Sequence, residues 1–173
     1  MSWNDYYRRR DALDAVIQHA TRNPGGGLPF DEVPGVSEIF SGPDELLAAL
    51  HYRWTLKLTA RVDMALAEAD RDSSIDRVEA VTEAWHKAAD ENSALRAILD
   101  TNSDRVGGTF GRAVRAEQRM LALTAGLAEI TEPDEEITRV GVAFNALLHS
   151  VPQRPARRRN PVEQLLRRLV PSA

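Results

Sequence analysis

The stretch SGPDELLAALHYRWTLKLTARVDMALAEA, residues 41–69, decides the fold. Ser41 can cap a helix, Pro43 falls in its first turn, and Asp44 stands three residues after Ser41. That is the pattern of a capping box with Asp in place of Glu. Leu46, Leu47, Leu50, Trp54, Leu58, Val62, Ala65 and Leu66 then recur at spacings of three and four. This is the period of a helix with one buried face, so a long helix is predicted over 43–69.

The same pattern repeats on both sides. Toward the N-terminus, Leu13, Val16, Ile17 and Ala20 mark a helix over about 4–22, ended by Asn23-Pro24-Gly25-Gly26-Gly27. Pro29, Pro34 and Gly35 leave room for at most one short helix near 36–40. Toward the C-terminus, Ser73 with Asp76 opens a helix carrying Val78, Val81 and Trp85, and Asn92-Ser93 opens a short one with Leu95, Ile98 and Leu99. Phe110, Val114, Leu121 and Ala125 place a helix over about 109–130. Thr131-Glu132-Pro133-Asp134 starts another, and Asn160-Pro161-Val162-Glu163 a last short one with Leu165, Leu166 and Leu169. No alternating β-branched run lies between hairpin turns. The expected fold is all-α, a bundle of about seven to eight helices. It divides into an N-terminal segment (1–42), a body (43–151) and a basic linker with a C-terminal helix (152–173), in one compact domain overall.

Composition narrows the function. The 173 residues contain no cysteine, which excludes disulfides and thiolate metal sites. No apolar run approaches the ~20 residues that span a bilayer, and the polar N-terminus is unlike a signal peptide. The expectation is therefore a cytoplasmic protein without a membrane partner. The net charge of −4 is unevenly spread: 152–173 carries six arginines and one acid, leaving −9 on the rest. Such a tail can meet an anionic partner.

Candidate sites are few. His19, His51, His86 and His149 fall on four different predicted helices, with no pair at ligand spacing, so no metal or other cofactor is expected. Gly25-Gly26-Gly27 lacks the strand before it and the Lys-Ser/Thr after it that a phosphate loop uses. No catalytic residue and no enzyme is expected. Trp54 and Trp85, on the apolar faces of consecutive helices, read either as core or as walls of a small apolar ligand pocket. In the second case Leu58 adds to the wall, and His51 and Tyr52 supply its polar groups. Ile137, Val140, Gly141, Phe144, Leu147 and Leu148 form a stripe wide enough for a homodimer interface, with Gly141 allowing close approach. Arg8, Arg9, Arg10 and Arg157, Arg158, Arg159 are the candidate contacts to nucleic acid or another anion.

One resemblance emerges. Gly35-Val36-Ser37, followed by Ile39-Phe40-Ser41-Gly42-Pro43-Asp44-Glu45-Leu46-Leu47-Ala48-Ala49-Leu50, resembles the end of the DNA-binding region of TetR-type repressors. In that family a Gly-Val-Ser opens the recognition helix, and Glu-x-Leu-Leu-x-Ala begins the connecting helix. Asn92 to Leu99 is similar to a short segment of the family's body, and the coarse match covers about 10–150. The resemblance implies a dimeric, ligand-responsive transcription regulator. This chain departs from the pattern where only Glu38 and Ile39 separate Gly35-Val36-Ser37 from Phe40. A major-groove reader needs a helix with several exposed side chains. The helix-turn-helix is thus expected to be shortened or degenerate, which puts DNA binding in doubt. The alternative is a helical adaptor that docks a partner through its basic C-terminal helix.

Overall fold

The computed structural model describes residues 3–105 and 107–150. They form seven helices, with no strand among the described residues: α1 (Trp3–Arg22), α2 (Val36–Ile39), α3 (Pro43–Ala69), α4 (Arg77–Glu91), α5 (Ser93–Thr101), α6 (Gly108–Thr124) and α7 (Asp134–Ser150). The all-α expectation holds. The helix expected to start at Asn160 lies outside the described residues.

The long helix α3 is the spine. Leu46, Leu47, Leu50, Trp54 and Leu58 are fully buried along it, with Val62 nearly so. Helices α1, α4, α5 and α6 pack on it, and α7 packs on α6. Residues 24–41 hold only the single turn of α2, anchored by the buried Val33, Val36 and Phe40. Proline and glycine prevent a second helix there, so the segment presents no recognition helix.

Several helix ends differ from the sequence pattern. The residue before α3 is Gly42, and the acid that serves Ser41 is Glu45, whose Oε2 accepts from both the Ser41 amide and hydroxyl at 2.8 Å. Asp44 instead turns to another helix. Its carboxylate accepts from the amides of Thr109 at 2.9 Å and Phe110 at 3.3 Å, and so caps α6. Helix α4 is capped by Asp76 rather than Ser73, through the Glu79 amide at 2.9 Å. Helix α6 stops at Thr124, short of residue 130. Gly126 takes φ 71°, and the Leu127 amide reaches back to the Ala122 carbonyl at 2.9 Å. This reversal is a Schellman motif, in which a left-handed glycine closes the last turn.

The stripe on α7 also needs correction. Ile137, Gly141, Phe144 and Leu148 are buried within this chain, Val140 is half-buried, and only Leu147 is exposed. Their partner is α6. A Cβ on Gly141 would run into the backbone carbonyl of Gln118. Glycine does permit a close helix crossing here, but between neighbours in one chain. The basis for a two-fold interface through this face is removed.

Candidate functional site

The apolar faces of α3 and α6 each carry one residue out of character. On α3, His51 lies in register with Leu47, Trp54 and Leu58. On α6, Glu117 lies in register with Phe110, Val114 and Leu121. The packing of α3 on α6 brings these two side chains together in the core, 3% and 5% exposed. A buried carboxylate must find partners or take up a proton, and Glu117 finds three. Trp54 Nε1 donates to its Oε1 at 3.0 Å, and His51 Nε2 stands 2.7 Å from its Oε2. The His51 approach is close but poorly aligned, and so is a polar contact rather than a linear hydrogen bond. Arg96 of α5 places Nη1 3.9 Å from Oε1. Burial pushes the Glu117 carboxyl upward, but His51, the Arg96 charge and the Trp54 N–H outweigh it. The carboxyl sits below its ordinary value.

Arg96 links this core pair to the surface. Its guanidinium lies 5.0 Å from the Trp54 ring centroid and 6.0 Å from that of Trp85, within cation–π range of both. Its Nε donates to Asp100 Oδ1 at 2.8 Å, one helical turn on. The same oxygen meets His149 Nε2 of α7 at 3.1 Å. Asp100 is raised by burial and lowered more by His149 and Arg96, so it too stays below the ordinary range. The result is a continuous chain of ionisable groups, His51–Glu117–Arg96–Asp100–His149, joining α3, α6, α5 and α7.

The residues expected to line a pocket are partly here. His51, Trp54, Trp85 and Leu58 are all buried, but Trp54 and Trp85 meet edge to face at 6.0 Å, with Arg96 against both rings. The two rings therefore pack on each other and on Arg96. Tyr52 is misplaced in that set: it is 65% exposed. Residues 52 and 54 point about 200° apart around a helix and cannot line one cavity.

The N-terminal arginine run does not act as a unit either. Arg9 Nη2 donates to Glu45 at 2.8 Å and its guanidinium covers the Phe40 ring, whereas Arg10 pairs with Asp11. Successive residues diverge by about 100°, so three arginines in a row make no basic face. Arg8 and Arg9 border a surface hollow of about 290 Å³, but Asp5 and Glu38 share its lining. Arg157, Arg158 and Arg159 lie outside the described residues. No group of three or more potential metal ligands converges among the described residues, and no described helix is long and apolar enough to cross a membrane.

Sequence reasoning missed Glu117, Arg96 and Asp100 as site residues. The signal for Glu117 was present: a carboxylate in register with an apolar stripe. Arg96 and Asp100 flank the apolar positions of α5, and nothing local marks them. No protein-family model, curated protein or solved structure matches this chain.

Proposed function

We propose that this chain is a non-enzymatic helical interaction protein. It is TetR-like in the order of its helices, but works by docking another macromolecule rather than by reading DNA. The direct packing of Trp54 on Trp85, with Arg96 against both rings, carries this reading, because core contacts stand where a ligand-responsive regulator would need an apolar cavity. The single turn of α2, four residues long, supports it by offering too little helix for a major groove. The docking element is the segment 152–173, with its net +5. Its chemistry suits an acidic protein surface. Arginine pairs carboxylates in bidentate fashion, and with only four residues in α2 the described residues offer no helix to seat the chain in a DNA groove.

A second reading, binding of a small ligand, has one observation in its favour. Trp85 Nε1 and His86 Nε2 are buried without a hydrogen-bond partner, and an incoming polar group could satisfy them. Titrations of the full chain separate the readings. Fluorescence anisotropy should show binding to a labelled poly-glutamate peptide, weakened by replacing Arg157, Arg158 and Arg159 with Ala. A DNA duplex should bind no better than that peptide. A saturable shift of tryptophan emission with an apolar ligand series, and no peptide binding, would overturn the proposal.

A further inference from the structure

His149 is the outermost member of the charge chain and sits in the last turn of α7. Both of its ring nitrogens face acceptors. Nε2 is 3.1 Å from Asp100 Oδ1, and Nδ1 is 2.7 Å from the Asn145 carbonyl oxygen. A neutral imidazole carries one N–H, so it satisfies only one of these contacts; the imidazolium satisfies both. The ring also packs against Trp85, with centroids 4.9 Å apart and the planes at 63°. The side chain is 34% exposed, so protons reach it directly.

We propose that His149 and Asp100 form a proton-controlled latch, which holds the C-terminal turn of α7 on the body while His149 is an imidazolium and frees it when that proton leaves. The surroundings fit this assignment. From α5, Asp100 attracts the proton and the more distant Arg96 opposes it. From α4, Trp85 packs on the ring, and His86 contacts the same indole at 5.2 Å. From α6 and α3, Glu117 and His51 act through Arg96. The hydrogen bond to Asp100 raises the His149 pKa most. Burial lowers it and the Asn145 carbonyl raises it again, for a net rise.

A raised folded-state value fixes the sign. The latch contributes fully below the ordinary histidine value of about 6.5. Its contribution is lost as pH climbs through the higher folded value. Residues 151–173 continue from this turn, so the latch governs the root of the basic segment whether or not that segment binds a partner.

NMR of the full chain tests the idea. The His149 ring should titrate above about 6.5. Amide protection at 146–150, corrected for the intrinsic pH dependence of exchange, should fall as pH passes that midpoint. The fall should be roughly tenfold for each unit by which the midpoint exceeds the ordinary value. Amides of α3 serve as the internal control and should not change with it. His149→Gln should leave protection at 146–150 low and flat with pH, while Asp100→Asn should lower the His149 midpoint. If Asp100→Asn does not fold, His149→Gln decides alone, since it leaves the Arg96–Asp100 pair in place. A midpoint at or below the ordinary value, or the same pH-dependent loss in His149→Gln, would overturn the latch.

Discussion

Glu117 shows what a single misplaced charge demands of its surroundings. A carboxylate 5% exposed survives because Trp54, His51 and Arg96 converge on it from two other helices. Removing one member of such a group leaves the others buried and uncompensated, at a cost of about 3–5 kcal/mol. Glu117→Leu should therefore lower the melting temperature sharply. Adding Arg96→Met should recover part of the loss, and a double-mutant cycle by thermal unfolding measures the coupling. If the two losses simply add, the cluster is not energetically linked. Glu45 gives a pH prediction at the same scale. The Ser41 amide and hydroxyl, then Arg9, pull its pKa from 4.5 down to about 2. Its contribution is present above 4.5 and disappears as pH falls toward 2. Glu117 and Asp100, also depressed, add to the same acid limb. Glu45→Gln should flatten that limb by lowering stability at neutral pH toward its acid value, and only by a small amount, because the side chain is 39% exposed. Urea unfolding between pH 2 and 7 reads this directly.

At the scale of elements, two joints set how the helices meet. Asp44 reaches from the first turn of α3 to cap α6, 65 residues away in sequence. Asp44→Ala should cost about 1 kcal/mol, within the usual 0.5–2 for a lost cap. Asp44→Asn, which keeps an acceptor, should cost less. A cost equal for both would place the effect in charge rather than in capping. The second joint is the crossing of α6 and α7 at Gly141. An added methyl meets backbone at Gln118, which cannot rotate away as a side chain would. Gly141→Ala should therefore lose about 1–3 kcal/mol by overpacking, against the small gain in helix propensity that Ala brings elsewhere. A melting temperature unchanged by this substitution would show that the two helices separate freely.

Over the whole molecule, the question is which surface remains for partners. The apolar face of α7 is covered by α6 of the same chain, with Ile137, Phe144 and Leu148 at 5% exposure or less. Sedimentation equilibrium of the protein should accordingly show a monomer at micromolar concentration, and a tight dimer would require a different interface. Exposed apolar side chains do remain elsewhere: Trp3, Tyr6 and Tyr7 on α1, and Tyr52, Leu56 and Met64 on α3. The proposed docking segment makes its own prediction. Val162, Leu165, Leu166 and Leu169 share one helical face in sequence, and a helix of about ten residues does not persist alone in water. Replacing Leu165 and Leu169 with Asp should weaken peptide or partner binding. An unchanged melting temperature in that variant would mean the segment adds nothing to the body's stability.

Local pattern and tertiary packing divide the determination of this protein between them. The seven described helices were legible because helical periodicity is local: Leu46 to Leu66 announce α3 by spacing alone, and its predicted bounds coincide with the observed helix. The lack of a full recognition helix was equally readable, since proline and glycine forbid it whatever surrounds them. Cap assignments were less secure. Asp44 looked like the partner of Ser41 because the two are near in sequence, yet its carboxylate found amides on α6 that only the folded chain brings within reach. The α7 stripe declared an apolar face but not its partner, for burial against α6 and burial against a second copy leave the same spacing. The charge chain was the least visible feature. Its members come from α3, α5, α6 and α7, and hydrogen-bond geometry has no period along a sequence. Which helix faces which, and therefore which acid finds which base in a medium that penalises an unpaired charge, was decided by the crossing of those four helices.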